Sequence, residues 1–304
     1  MGHPHPHPHQ HDQLSGNRLL FSIILNIVIT ASQIIGGIIS GSLALISDAV
    51  HNLSDVISLI ISYVANILSN KKRQTLHQTF GFKRAEIIAA FINSSTLIII
   101  AVFLGIEAFK RLNDPREIAS NIVIWLAFIA ILGNGLSVLL LKKDADHNLN
   151  MKTAYLHLIT DMLTSVAVLA GGLLMKYYQI YWLDAVLTIV ISIYLLYMSW
   201  SIFLESLKIL MLFAPKGLEI KAIQDEIIAV PEIENIHHVH VWQLNDHDIH
   251  FEAHIEFNKD ISLSDFDKIC ATVENILFEK FHINHSNLQP EFERDDHKEF
   301  IIQD

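Results

Sequence analysis

Two short segments of this 304-residue chain carry side chains able to hold a metal ion in surroundings that would otherwise expel them. SDAVHNLSDV, residues 47–56, places Asp48, His51, Asn52 and Asp55 inside a run of apolar residues. On a helix the last three lie within about 60° of Asp48, so the four make one polar stripe. YLHLITD, residues 155–161, puts His157 and Asp161 one turn apart on one face, with Thr160, Thr164 and Ser165 close by. A lone buried histidine commonly joins two helices by a hydrogen bond. Two copies of His-x-x-x-Asp supply something more: two imidazoles and two carboxylates, a complete four-ligand set. The two negative charges cancel those of a divalent cation and leave a nearly neutral unit in a place of low dielectric. Imidazole nitrogen with carboxylate oxygen suits Zn²⁺, whereas an all-oxygen cage would suit Mg²⁺ or Ca²⁺ and thiolates would suit Cu⁺. Cobalt, cadmium, iron and manganese are close enough in preference to share such a set.

The elements that must position these ligands are long and apolar. Half of the chain is hydrophobic, 17% is charged and the mean hydropathy is +0.38. The apolar residues crowd into six runs, 19–40, 43–68, 85–109, 119–141, 153–175 and 181–204, each near the length a tilted membrane helix needs. Helices are required, because a barrel would show short alternating segments and irregular backbone cannot face lipid unsatisfied. The link Ser40, Gly41, Ser42 makes the first two runs an antiparallel hairpin. With the N-terminus in the cytosol, the inner set of basic residues is Arg18, Lys71, Lys72, Arg73, Lys83, Arg84, Lys142, Lys143, Lys152, Lys208 and Lys216, against Lys110, Arg111, Arg116 and Lys176 outside. That bias predicts both ends inside. The start of the chain has neither a basic n-region nor a clear cleavage site, so the first run is expected to be retained.

Charge divides the chain in two. Up to Phe213 there are 14 Lys and Arg against 12 Asp and Glu; the remaining 91 residues hold 7 against 20. An acidic tail repels phosphate backbones and attracts small cations, which argues against a nucleic-acid partner. The single cysteine, Cys270, excludes a disulfide framework and a thiolate cluster within one chain. The tail alternates as a small α+β unit: a helix over 217–229, strands over 236–244 and 249–257, a helix over 264–281 and a strand over 285–291. On the second strand His250, Glu252, His254 and Glu256 share one face, opposite Phe251, Ala253, Ile255 and Phe257. At the other end, HPHPHPHQH places His3, His5, His7, His9 and His11 on a segment that prolines hold extended, a weak metal-collecting arm.

The two His-x-x-x-Asp motifs, TFGFKRAEIIAAFIN at 79–93 and IHHVHVWQL at 236–244, together resemble the cation diffusion facilitator family of divalent-metal exporters, over about Arg18 to Glu291. The resemblance implies that His51, Asp55, His157 and Asp161 form the transport site, in its zinc-preferring version. It further implies a C-terminal domain that looks like a small ferredoxin-like metallochaperone, lies in the cytosol and pairs in a homodimer. Matched to the motifs IHHVHVWQL, EAHIEF and HSNLQPE, His237, His254 and either His285 or Glu291 align with positions that bind regulatory metal in some members. Some members carry an additional metal site between the second and third spans; here that loop has His77 alone, and none is expected. The short KKDADHNLN between the fourth and fifth spans replaces the long His-rich loop of many eukaryotic members, which points to a bacterial inner-membrane protein.

The expected organisation is a His-rich arm (1–17), an all-α six-helix membrane domain (18–213), a cytoplasmic α+β domain (214–292) and a tail (293–304). The expected function is export of Zn²⁺, with Co²⁺ or Cd²⁺ as further substrates, in exchange for protons by alternating access; Zn²⁺ is also the expected regulatory ligand. Asp48 and Asn52 are expected beside the site or along the ion path, and Asp184 as a cap or vestibule residue. Asn26, Gln33, Asn93 and Asn134 are read as interhelical hydrogen bonds, and Lys83, Arg84 and Glu86 as ion pairs between helices. No enzyme is expected: His-Glu-x-x-His is absent and no Glu adjoins either motif histidine as a base. A membrane metal sensor that binds without net flux is the alternative.

Overall fold

The computed structural model describes residues 16–70, 79–145, 149–245, 247–295 and 297–301. The expectations for His3, His5, His7, His9, His11 and His77 lie outside these residues. Six long helices come first: α1 (Gly16–Ser40), α2 (Leu43–Asn70), α3 (Ala85–Asn113), α4 (Ser120–Ala145), α5 (Leu149–Tyr178) and α6 (Trp182–Leu210). They are followed by α7 (Ile220–Ile228), β1 (Ile233–Gln243), β2 (Ile249–Phe257), α8 (Leu263–Phe281) and β3 (His285–Glu291). The chain divides into two compact units, residues 1–60 with 93–200 and residues 61–92 with 201–304.

Four helical stretches among the described residues are long and apolar enough to cross a membrane: Ala85–Asn113, Ser120–Leu139, Tyr155–Tyr178 and Trp182–Leu210. The described apolar stretch of α1, Ile24–Ser40, is shorter, and α2 carries the polar stripe in mid-run. Large apolar side chains such as Phe103, Leu139, Val190 and Ile193 are exposed, the inverse of a water-soluble protein and what a lipid solvent asks for. Backbones approach closely where side chains are small. A Cβ on Gly36 of α1 would collide with Leu126 of α4, and one on Gly172 of α5 would lie 3.1 Å from Ile124 of α4. The turn between α1 and α2 runs through Gly41 at φ 76°, a conformation that a side chain would strain.

The second unit contains a three-stranded sheet in the order β1-β2-β3, antiparallel between β1 and β2 and parallel between β2 and β3. The order α–β–β–α–β among the described residues is a ferredoxin-like pattern without its first strand. One face of the sheet is apolar: Ile236, Val239 and Val241 of β1 and Phe251, Ala253, Ile255 and Phe257 of β2 pack on Ile223 and Ile227 of α7 and Ile269, Val273 and Leu277 of α8. Ser262 caps α8 by accepting from the Asp265 N–H at 3.2 Å, and Asn245 closes the β1–β2 turn by accepting from the N–H groups of His247 and Asp248. The alternation expected along β2 is therefore the one found, with the apolar residues in the core and the histidines on the other face.

Candidate metal centre

The helical spacing of the two motifs turns His51 and Asp55 of α2, and His157 and Asp161 of α5, toward one point. One ligand atom from each of the four lies within 4.8 Å of all the others. His51 Nε2 is 3.8 Å from Asp55 Oδ2 and 3.4 Å from Asp161 Oδ1. His157 Nε2 is 3.0 Å from Asp55 Oδ2 and 3.6 Å from Asp161 Oδ2. Ligands at the Zn–N and Zn–O distances of a tetrahedral site stand about 3.3 Å apart, in the middle of this range. Outside the set itself, none of His51 Nε2, Asp55 Oδ2 and the two Asp161 oxygens, all buried, has a hydrogen-bond partner among the described residues. Buried polar atoms without partners are costly, and four of them converging is the signature of a set made for a cation.

Around the set lies a second polar layer. Asp48, 1% exposed, accepts from Gln33 of α1 at 2.7 Å and from Ser165 of α5 at 3.2 Å, and Asn52 donates to the Gln33 carbonyl at 3.1 Å. Gln33 is the link that joins Asp48 and Asn52. The Tyr194 ring of α6 packs edge-on at 5.9 Å from that of His51. Nothing in the apolar sequence around Tyr194 singles it out.

The other intramembrane polar residues divide. Asp184 is a cap: it accepts from Ser42 Oγ at 2.5 Å, Leu43 N at 2.8 Å and Ala44 N at 3.4 Å, at the first turn of α2. Asn93 donates to Ser54 Oγ of α2 at 2.8 Å, as an interhelical bond. Asn26 instead accepts from Thr30 of its own helix, and the buried Asn134 Nδ2 has no partner among the described residues. The ion pair of Lys83 is made with Asp248, at 3.0 Å, rather than between helices. Burial raises the Asp248 carboxyl, but the hydrogen bonds from Lys83 and Asn245 outweigh it and hold the pKa below its usual range.

In the C-terminal sheet a second group forms from His237 of β1, His254 of β2 and Glu291 of β3, whose ligand atoms also lie within 4.8 Å of one another. His237 Nε2 is 3.1 Å from Glu291 Oε2, and His254 Nδ1 is 2.9 Å from Glu291 Oε1. Of the two alternatives on β3 it is Glu291 that joins the histidines. His285 lies elsewhere, its ring 4.4 Å from that of His250, which is also stacked on Trp242. The reason is register: β2 pairs His250 with His285 but Glu256 with Glu291, so the two β3 residues stand at opposite ends of the histidine face. Cys270 takes no part; burial pushes its thiol up to about 11, which keeps it protonated and inert.

Comparison with known proteins covers most of the chain. Residues 19–211 match the cation efflux transmembrane domain and residues 215–293 match the cation efflux protein cytoplasmic domain. The zinc transporter ZitB of Pectobacterium atrosepticum is 33% identical over 292 residues, covering 94% of this chain and 90% of that protein. The cadmium, cobalt and zinc/H⁺-K⁺ antiporter of Bacillus subtilis is 32% identical over 286 residues, covering 93% and 91%. The metal cation efflux system protein CzcD of Cupriavidus metallidurans is 30% identical over 258 residues, covering 85% and 81%. The matched domains fill most of the chain, and the chain belongs to the cation efflux family.

Proposed function

We propose that this protein exports Zn²⁺, and with it Co²⁺ or Cd²⁺, from the bacterial cytosol in exchange for protons. In this reading residues 18–213 cross the inner membrane six times, residues 214–292 are cytoplasmic and pair in a homodimer, and residues 1–17 collect metal. The single observation that carries it is the convergence of ligand atoms from His51 and Asp55 of α2 and His157 and Asp161 of α5. The names and coverage of the relatives support the choice of metals.

Metal binds when both imidazoles are neutral and both carboxylates ionised, so protons compete with it for the same atoms. When Zn²⁺ leaves, an imidazolium at His157 would meet the Asp55 carboxylate 3.0 Å away, which stabilises the proton-carrying state of the same site. Ligands from two helices, near mid-run in each, suit alternating access in which helices rock around a fixed site. Asp48, Gln33 and Asn52 hold α1, α2 and α5 together beside it.

The cytoplasmic group is proposed as a regulatory Zn²⁺ site of His237, His254 and Glu291. Two imidazoles and a carboxylate within 4.8 Å fit three positions of a tetrahedral ion. The test of the transport reading is Zn²⁺ uptake into proteoliposomes with an imposed pH gradient. Uptake is expected to follow the gradient and to vanish in Asp55→Ala. Flux indifferent to collapse of the gradient removes the proton coupling, and binding without flux makes the protein a metal sensor.

A further inference from the structure

The carboxylate at the centre of the cytoplasmic group already has cations on it. Glu291, its side chain 1% exposed, receives Arg294 Nη1 at 3.1 Å on Oε1 and Lys298 Nζ at 3.3 Å on Oε2, the same two oxygens that face His254 and His237. Both cations come from the segment that follows β3, beyond the matched cytoplasmic domain. That segment is held down at a defined place. Val239 N donates to Phe300 O at 2.9 Å and His238 N to Glu299 O at 3.1 Å, where the β1–β2 register breaks between His237 and His240 and His238 takes φ 52°. The bulge frees these two N–H groups from β2, and Phe300 packs on the domain's apolar core. The strap therefore reaches the metal group from a fixed anchor.

We propose that the described residues after β3, 294–295 and 297–300, are a built-in competitor of the regulatory metal: Arg294 and Lys298 neutralise Glu291 in the metal-free protein, and Zn²⁺ on His237, His254 and Glu291 displaces them and loosens the strap. This rests on the reading of that group as a metal site. A divalent ion within bonding distance of the Glu291 oxygens would stand a few ångströms from both cationic groups, so each occupancy weakens the other. Lys298 has somewhere to go, since Glu256 Oε1 is 3.2 Å from its ammonium. Arg294 is more than half exposed and can turn to solvent. The chain's own cations thus set the metal concentration at which the domain responds, and the strap reports the occupancy.

The test uses the full-length protein in nanodiscs, with Asp161→Asn to silence the membrane site. Zinc affinity and stoichiometry are measured by chelator competition, and amide exchange is followed at His238 and Val239. Zn²⁺ is expected to raise exchange at both amides. Arg294→Gln with Lys298→Gln is expected to tighten binding by about five- to tenfold, the scale of a partly buried ion pair that need no longer be broken. Glu291→Gln, or His254→Gln in its place, is expected to remove one bound zinc. A zinc lost with Glu291 while the two amides keep their protection, or weaker binding in the double variant, overturns the strap and leaves the metal site standing. Zinc stoichiometry unchanged in both Glu291→Gln and His254→Gln overturns the metal site and the strap together.

Discussion

Asp161→Asn is the sharpest probe of the intramembrane set, because it preserves shape and removes one charge. Asp161 is 1% exposed, and its two oxygens divide between the two histidines, Oδ1 3.4 Å from His51 and Oδ2 3.6 Å from His157. With both carboxylates ionised, Zn²⁺ and its ligands are neutral together; with an amide in place of the second carboxylate the loaded site carries one net positive charge away from water. Breaking a buried charge pair by removing one member costs about 3–5 kcal/mol. At about 1.4 kcal/mol per decade this predicts zinc binding weaker by roughly 10²- to 10⁴-fold. With both imidazoles neutral the metal-free protein should suffer little, since the change removes a buried carboxylate that has no hydrogen-bond partner outside the set among the described residues. Thermal unfolding in detergent separates the two effects. A ligand at a hundredfold excess over its Kd stabilises by about 2.7 kcal/mol, so zinc should raise the wild-type midpoint clearly and that of the variant hardly at all. Asp48→Asn is the control. Asp48 lies a turn away and is held by the neutral Gln33 and Ser165, so only a hydrogen bond or two are disturbed, about 1 kcal/mol each, and binding should fall by about thirtyfold at most. Equal losses in the two variants, measured with the cytoplasmic group disabled by Glu291→Gln, would refute the assignment of ligands.

Three further outcomes follow from the same geometry. Replacing His51 with Asp makes the set oxygen-rich, and competition binding should show the preference for Zn²⁺ over Mn²⁺ narrowing; an unchanged ratio would mean that His51 is not a ligand. Asp184→Ala strands the hydroxyl of Ser42 and two N–H groups at the buried start of α2, which should cost about 2–4 kcal/mol and lower the unfolding midpoint, whereas an unaltered midpoint would remove the cap. Burial first, then neighbouring His285 and Lys83, hold the His250 imidazole below its ordinary pKa, with Asp248 opposing. Its contribution to the C-terminal sheet is therefore present above about pH 6.5 and is lost as pH falls through the folded value, because the unfolded chain takes up the proton more readily. Amide exchange along β2 should accelerate on acidification less in His250→Gln than in wild type, and equal acceleration would exclude His250 as the cause.

How much of this was legible depended on whether a feature is fixed within one element or between two. The spacing of His51 and Asp55, and of His157 and Asp161, needs only the pitch of a helix to put each pair on one face, and their cost in an apolar run advertises them. The alternation along β2 is equally local, and the two faces fall as the sequence orders them. His285 and Glu291 could not be separated that way: six residues apart on one strand they have the same parity and face the same side. Only the parallel register, which sets His285 beside His250 and Glu291 beside Glu256, decides between them, and that register is a relation between two strands separated in sequence by α8. Asp184 is a stronger case. It caps a helix that begins 141 residues earlier, and the sequence around it shows only an acid at the end of a span. Arg294 and Lys298 were invisible for the same reason, since a charged segment after the last strand reads as solvated until a bulge on β1 is seen to anchor it. The ligands of a site are thus easier to read from sequence than what holds or opposes them: ligand chemistry is stamped on residue type, whereas the partners of a buried carboxylate are chosen by whatever the fold brings near it.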